Sequence, residues 1–159
     1  MVLVLCFFVA EEPMKRAQGA RAPRSPFNAC ERVAGYAQAA RRAGFDTSRI
    51  VWHIVDDGDP EAAALRAIEQ ERPRLAKHRR IAVVAMSDRL AMATVAAMRT
   101  WPKVELVSVV GFDDIPAAAT AGLTTVRQDG VQKGESAVRV VLDDEESVVL
   151  PLSLVVRDT

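Results

Sequence analysis

Apolar runs of strand length alternate along this chain with longer stretches in which apolar positions recur at helical spacing. The runs are rich in Val, Ile and Leu, which is typical of strands buried on both faces of a sheet. We predict strands over 2–9, 49–55, 81–86, 106–110 and 148–156, with an extended segment over 123–126. Helices are predicted over 28–44, 60–71, 87–100, 115–121 and 129–144. This alternation predicts an α/β fold, an open parallel sheet with helices on both faces.

One segment near the start interrupts the pattern. Residues 11–27 hold three prolines, a glycine and several basic residues, and show neither helical nor strand periodicity. Proline and glycine at this density favour turns and irregular backbone. We therefore predict a loop over 11–27, long for a compact domain.

The charge balance removes one class of partner. The 159 residues carry 21 basic and 21 acidic side chains, so the formal net charge is zero. Such a chain exerts no general electrostatic attraction on nucleic acid. No basic helix stands beside a helix-turn-helix pattern, so we predict a single domain over 1–159 that contains no DNA-binding domain.

The apolar first residues and the two cysteines argue against a membrane-bound protein and a metalloprotein. Residues 1–10 lack a preceding basic region and are too short to span a bilayer, so a buried strand is favoured and no membrane contact is predicted. Cys6 and Cys30 have neither CxxC spacing nor a histidine companion. We therefore predict no metal site, no cofactor and a reducing, cytoplasmic setting.

The most informative run is 107–116, in which an apolar strand meets a glycine, an aromatic residue, Asp113, Asp114 and a proline. Polar groups just past the carboxyl end of such a strand line the ligand crevice of open α/β folds. Adjacent residues on an extended segment point apart, which argues against a catalytic pair. No nucleophile–base pair or glycine-rich phosphate loop is present, so no catalytic residue is assigned and a flavodoxin-like enzyme is disfavoured.

Three segments in order carry a family resemblance: Gly111-Phe112-Asp113-Asp114, then Thr125-Val126-Arg127-Gln128-Asp129, then Leu154-Val155-Val156-Arg157-Asp158. Together they resemble the end of a LacI/GalR-family transcriptional regulator, and the similarity covers about residues 28–159. The resemblance implies a periplasmic-binding-protein-like type I fold. It further implies that 1–159 is the C-terminal subdomain of an effector-binding domain, and that 129–144 is a crossover helix.

The resemblance also implies which residues contact the effector. Arg32 would reach into the cleft and bind ligand oxygens with its planar donors, although a solvated helix arginine is the alternative. Asp113 would accept hydrogen bonds from ligand hydroxyls or ring nitrogens, while Asp114 would start the next turn.

Two further positions complete the predicted set. Ser87 would point at ligand hydroxyls, and Asp88 is interpreted as the cap of the following helix. Gln128 would lie near the cleft, with a surface hinge residue as the alternative.

The function implied is the effector-binding and dimerisation portion of a bacterial repressor. Its partners would be a small polar effector such as a sugar, and a second copy that contacts it through 89–98 and 115–121. DNA would be bound only through a domain absent from this chain. The alternative is a fragment of a solute-binding protein of an ABC transporter, which shares the fold.

Overall fold

A computed structural model describes residues 2–10, 16–18, 27–56, 59–75, 77, 80–99, 101, 105–142 and 148–159. The described residues form one sheet of seven strands, in the spatial order β2-β3-β1-β4-β5-β6-β7. The strands are β1 (Val2–Ala10), β2 (Arg16–Gln18), β3 (Ile50–Asp56), β4 (Arg80–Ala85), β5 (Glu105–Asp113), β6 (Thr124–Arg127) and β7 (Ser153–Val155). The helices are α1 (Phe27–Arg42), α2 (Pro60–Leu75), α3 (Asp88–Met98), α4 (Pro116–Thr120) and α5 (Gly130–Leu142).

The five inner strands are parallel, as the alternation of strands and helices predicts. The two edge strands differ from the prediction, because β2 runs antiparallel to β3 and β7 runs antiparallel to β6. Both are three residues long.

Helices on both faces follow from the strand order. The connection from β1 to β3 runs towards the β2 edge of the sheet. The connections from β3 to β4 and from β4 to β5 run towards the β7 edge. Because such crossovers are right-handed, α1 lies on one face and α2 and α3 lie on the other. The direction reverses between β1 and β4, which is where open α/β sheets bind ligands at the carboxyl ends of their strands.

The core lies between this sheet and the helices α2 and α3. Fully buried side chains from both layers form one cluster that includes Val51, Ile68, Leu75, Ile81, Leu90 and Leu123. Removing such side chains from water is the main favourable term in folding.

Several predicted boundaries need correction. The predicted loop 11–27 contains β2, whose backbone pairs with β3, while 11–15 and 19–26 lie outside the described residues. The helix predicted over 60–71 continues through Pro73 to Leu75, which is fully buried in the core and fixes the last turn. The strand predicted over 148–156 is confined to Ser153–Val155. The helix predicted over 129–144 begins at Gly130 and is described to Leu142, while 143–144 lie outside the described residues.

Candidate functional site

The candidate site lies where three neighbouring parallel strands end. Ser87 follows β4, Asp113 is the last residue of β5, and Gln128 follows β6. Because the three strands are parallel neighbours, their carboxyl ends share one edge of the sheet. This edge adjoins the reversal point between β1 and β4, which favours it as a ligand site.

Arg32 reaches this edge from the first turns of α1. Its Nη1 donates a hydrogen bond to the backbone oxygen of Met86 at 3.1 Å. Its Cζ lies 3.7 Å from the centroid of the Phe112 ring, a distance typical of a cation–π contact. Arg32 is therefore held between the ends of β4 and β5, against the residues that directly precede Ser87 and Asp113. This fixed position reduces the entropy lost when a ligand binds.

Asp113 and Gln128 are joined directly. The Gln128 Nε2 donates to the Asp113 Oδ1 at 2.8 Å. The Gln128 Oε1 accepts a hydrogen bond from the Nζ of Lys133, on α5, at 2.7 Å. The amide group of Gln128 is thereby oriented by a carboxylate on one side and an ammonium group on the other.

Burial raises the pKa of the Asp113 carboxyl above its usual value, and the nearby charge of Asp88 acts in the same direction. The Gln128 hydrogen bond and the charges of Arg32 and Lys133 oppose this rise. Asp113 as a residue is exposed, so its ionised carboxylate is only partly desolvated, and a ligand that donates hydrogen bonds to it would replace the lost water.

The backbone at the end of β5 is unusual. Asp113 has φ 112° and Asp114 has φ 57°, both in the region that residues with a Cβ seldom adopt. Each such residue costs about 1–3 kcal/mol and persists only where its surroundings fix it. These two residues, called the bend below, set the path of the chain from β5 into α4.

Asp114 forms ion pairs with two arginines at this bend. Its side chain is 7% exposed, and its two oxygens accept hydrogen bonds from Arg127 Nε and Arg157 Nη2, each at 2.6 Å. These bonds hold the pKa of the Asp114 carboxyl below its usual value. The sequence predicts that Asp114 starts the next turn; its side chain instead forms two ion pairs, and the cap residue of α4 is Ile115, which makes no side-chain hydrogen bond.

The structure corrects the role expected of Asp88 and gives Ser87 a capping role. Ser87 has an extended backbone and its Oγ accepts from the Leu90 N–H at 3.4 Å, so Ser87 is the cap of α3. The expectation that Asp88 caps the helix was wrong. Asp88 is the first helical residue and is fully buried, and its carboxylate accepts from Thr125 Oγ1 and from the Ile115 N–H, the latter at 2.9 Å.

This buried carboxylate explains the glycine in the Gly-Phe-Asp run. A Cβ built at Gly111 would overlap Asp88 Oδ1 and would lie 3.0 Å from Leu123 Cδ2. A side chain at 111 would therefore push Asp88 away from β5 and β6. Gly111 thus allows Asp88 to link α3 to β6 and to the start of α4, directly after β5.

The structure brings Arg32, Asp113 and Gln128 together, and it places the predicted Ser87 beside the Met86 carbonyl that Arg32 contacts. Whether these four contact a ligand stays a prediction. Sequence reasoning did not assign Lys133 or Arg157 to the site, because their partners depend on the fold. Within the described residues, no group of three or more His, Cys, Asp or Glu side chains could hold a metal ion.

Residues 16–159 match a family model described as a periplasmic binding protein-like domain. Among solved structures, a LacI-family transcriptional regulator from Corynebacterium glutamicum is 22% identical with a TM-score of 0.69, over 98% of this chain and 49% of its own. A protein of uncharacterised function from Actinobacillus succinogenes is 27% identical with a TM-score of 0.66, over 98% and 54%. A sugar-binding LacI-family regulator from Escherichia coli, complexed with phosphate, is 22% identical with a TM-score of 0.64, over 99% and 53%.

This chain therefore spans about half the length of the solved structures that it matches. Among curated proteins, no significant match is found. In the part of the chain that the structure describes, none of the helices combines the length and apolar character needed to cross a membrane.

Proposed function

Since this chain belongs to the periplasmic-binding-protein-like domain family, we propose that it is the effector-binding portion of a LacI-type transcriptional regulator. The observation that carries the proposal is the convergence of Arg32, Asp113 and Gln128 at the carboxyl edge of the sheet. The ligand is a small polar molecule such as a sugar, and the chain is not an enzyme.

The chemistry of the three residues supports a polyhydroxyl ligand. The ionised carboxylate of Asp113 only accepts hydrogen bonds, whereas the guanidinium of Arg32 only donates them. A sugar hydroxyl both donates and accepts, so one molecule can satisfy both groups. The raised pKa of Asp113 marks a carboxylate that gains from such donors.

In the complete regulator, we propose that ligand binding closes this subdomain against a first subdomain and changes the geometry of a separate DNA-binding domain. The protein would act as a cytoplasmic homodimer. A solute-binding protein of a transporter is the alternative. Two of the solved structures named above are described as transcriptional regulators, which favours the first assignment.

The proposal is tested by titrating the purified chain with D-glucose, D-galactose and cellobiose in a calorimeter, with glycerol as a control. We expect at least one sugar to bind, and we expect Asp113→Asn to weaken that binding by about ten- to a hundredfold, since hydrogen bonds to charged groups contribute about 1.5–3 kcal/mol. The matched control is Glu31→Gln, which neutralises an exposed carboxylate next to Arg32. A chain that binds none of these sugars, or an Asp113→Asn variant that binds as tightly as the parent, would contradict the proposal.

A further inference from the structure

The bend at Asp113 and Asp114 requires support from outside the site. Two consecutive residues with positive φ end β5, and both carry a Cβ that disfavours that conformation. If the bend relaxed, the direction of the Asp113 side chain would change, because φ of residue 113 itself is part of the bend. The position of the Asp113 carboxylate therefore depends on whatever fixes residue 114.

Arg157 is the better anchored of the two cations that hold Asp114. Its side chain is 17% exposed, whereas that of Arg127 is 54% exposed. Arg157 Nη1 donates to the backbone oxygen of Leu123 at 2.7 Å, and its backbone N–H donates to Thr124 Oγ1 at 3.0 Å. Arg157 is thus fixed by β6 and the residue before it, at both its backbone and its side chain, while Nη2 binds Asp114.

We propose that Arg157 is a positioning residue for the ligand site. By pairing with Asp114, it holds the bend that presents the Asp113 carboxylate to Gln128 and Arg32, without itself contacting the ligand. The existence of a ligand rests on the proposed function, but the position of Asp113 can be measured without one.

The measurement is the titration of the Asp113 side-chain carboxyl, followed by ¹³C NMR in the full chain. Burial is the main cause that raises its pKa. In Arg157→Gln we expect this pKa to fall towards the ordinary value, because the released carboxylate becomes more exposed to water. If the substitution only removed a nearby positive charge, the pKa of Asp113 would rise instead. The direction of the pKa change therefore distinguishes a moved Asp113 carboxylate from the loss of a charge.

Arg127→Gln is the matched control, since it removes the other, exposed partner of Asp114. We expect it to leave the Asp113 titration close to that of the parent. The sugar that binds best to the parent should bind at least about tenfold more weakly to Arg157→Gln, as expected for one lost hydrogen bond to a charged group. A folded Arg157→Gln variant that retains the parent titration of Asp113 would overturn the proposal.

A second pair of variants decides the question even if Arg157→Gln does not fold. Asp114→Ala and Asp114→Gly both remove the ion pairs, but glycine adopts positive φ without steric cost and alanine does not. We expect the pKa of Asp113 to fall in Asp114→Ala and to stay near the parent value in Asp114→Gly. Equal titrations in the two variants would show that backbone conformation at 114 does not position Asp113. A failed sugar titration would affect only the proposed function, since these readouts need no ligand.

Discussion

Single residues in this protein are constrained by neighbours that are distant in sequence. Gly111 has no space for a side chain because Asp88, from another element, lies against it. Asp113 and Asp114 are adjacent yet lie in opposite electrostatic environments, since burial raises the pKa of the first and ion pairs lower the pKa of the second. The sequence places all these residues at a strand end, but it does not show these environments.

Gly111→Ala should lower the free energy of unfolding by about 1–3 kcal/mol, the usual cost of overpacking a filled site. Gly35 offers a matched control, because it lies in α1 and a Cβ added there would have no neighbouring atom within 4 Å. Gly35→Ala should raise stability by up to about 1 kcal/mol, since alanine favours the helix. Urea denaturation followed by circular dichroism measures both, and a Gly111→Ala variant as stable as the parent would argue against the packing of Asp88.

The two aspartates should give opposite pH dependences. The lowered pKa of Asp114 means that its ion pairs stabilise the fold above the unfolded value of 3.8, and that this stability is lost as the pH falls through the folded pKa. Asp114→Asn should therefore cost about 2 kcal/mol at pH 7, with a smaller difference from the parent in acid. Unfolding free energies measured between pH 7 and pH 3 test this.

The pH dependence of stability expected for Asp113 has the opposite sign to that of Asp114. Its folded pKa is raised, so its ionised form is disfavoured in the folded state at neutral pH, and the penalty disappears as the pH falls below 3.8. Asp113→Asn should be more stable than the parent at pH 7 and equal to it in acid. A loss of stability at pH 7 would mean that the Gln128 and cation contacts outweigh the burial of this carboxylate.

At the scale of elements, the periodicity of the sequence predicts which segments form helices and strands, but capping and tertiary packing set their ends. α3 begins at Asp88 because Ser87 has the extended backbone and the side-chain hydrogen bond of a cap. α2 passes Pro73 because Leu75 is buried. The family resemblance implied Arg32, Ser87, Asp113 and Gln128 as site residues, whereas Lys133 and Arg157 were missed because their contacts arise from strand register and helix placement.

The Ser87 cap of α3 gives a prediction about the stability of this helix. Ser87→Ala should lower the free energy of unfolding by about 1 kcal/mol, because the Leu90 N–H loses its partner at the start of α3. Ser87→Asn provides the control, since asparagine caps helices about as well as serine does. Thermal unfolding of the three proteins should rank the parent and Ser87→Asn together, above Ser87→Ala; an unchanged Ser87→Ala would show that this long hydrogen bond contributes nothing.

At the scale of the whole molecule, the predicted fold class is confirmed, and the chain belongs to the periplasmic binding protein-like domain family. The parallel order of the inner strands follows from alternation of strands and helices, whereas the antiparallel edges do not. α5 carries exposed apolar side chains, with Val131, Val141 and Leu142 each more than 70% exposed.

Self-association through α3 and the segment 115–121 remains a prediction. A groove of about 150 Å³ lies there, lined by Met92, Val95, Ala96, Arg99, Ala121, Leu123 and Thr159. We expect a second copy to occupy it, since small side chains allow two helices to approach closely. Met92→Glu should shift the chain towards monomer in light scattering across the micromolar range, whereas Leu65→Glu, on α2, should not. A parent protein that is already monomeric would contradict this prediction.

The strand order has a consequence for how the chain reaches its fold. β1 precedes the other strands in the sequence, yet it lies inside the sheet between β3 and β4. During synthesis, the strands that pair with β1 are therefore made dozens of residues after it. Contacts between residues so far apart in the sequence form slowly. An apolar strand left unpaired during that interval is prone to pair with other chains. The efficiency of folding should consequently depend on how quickly β3 and β4 follow β1, more than on the strands that close the far edge.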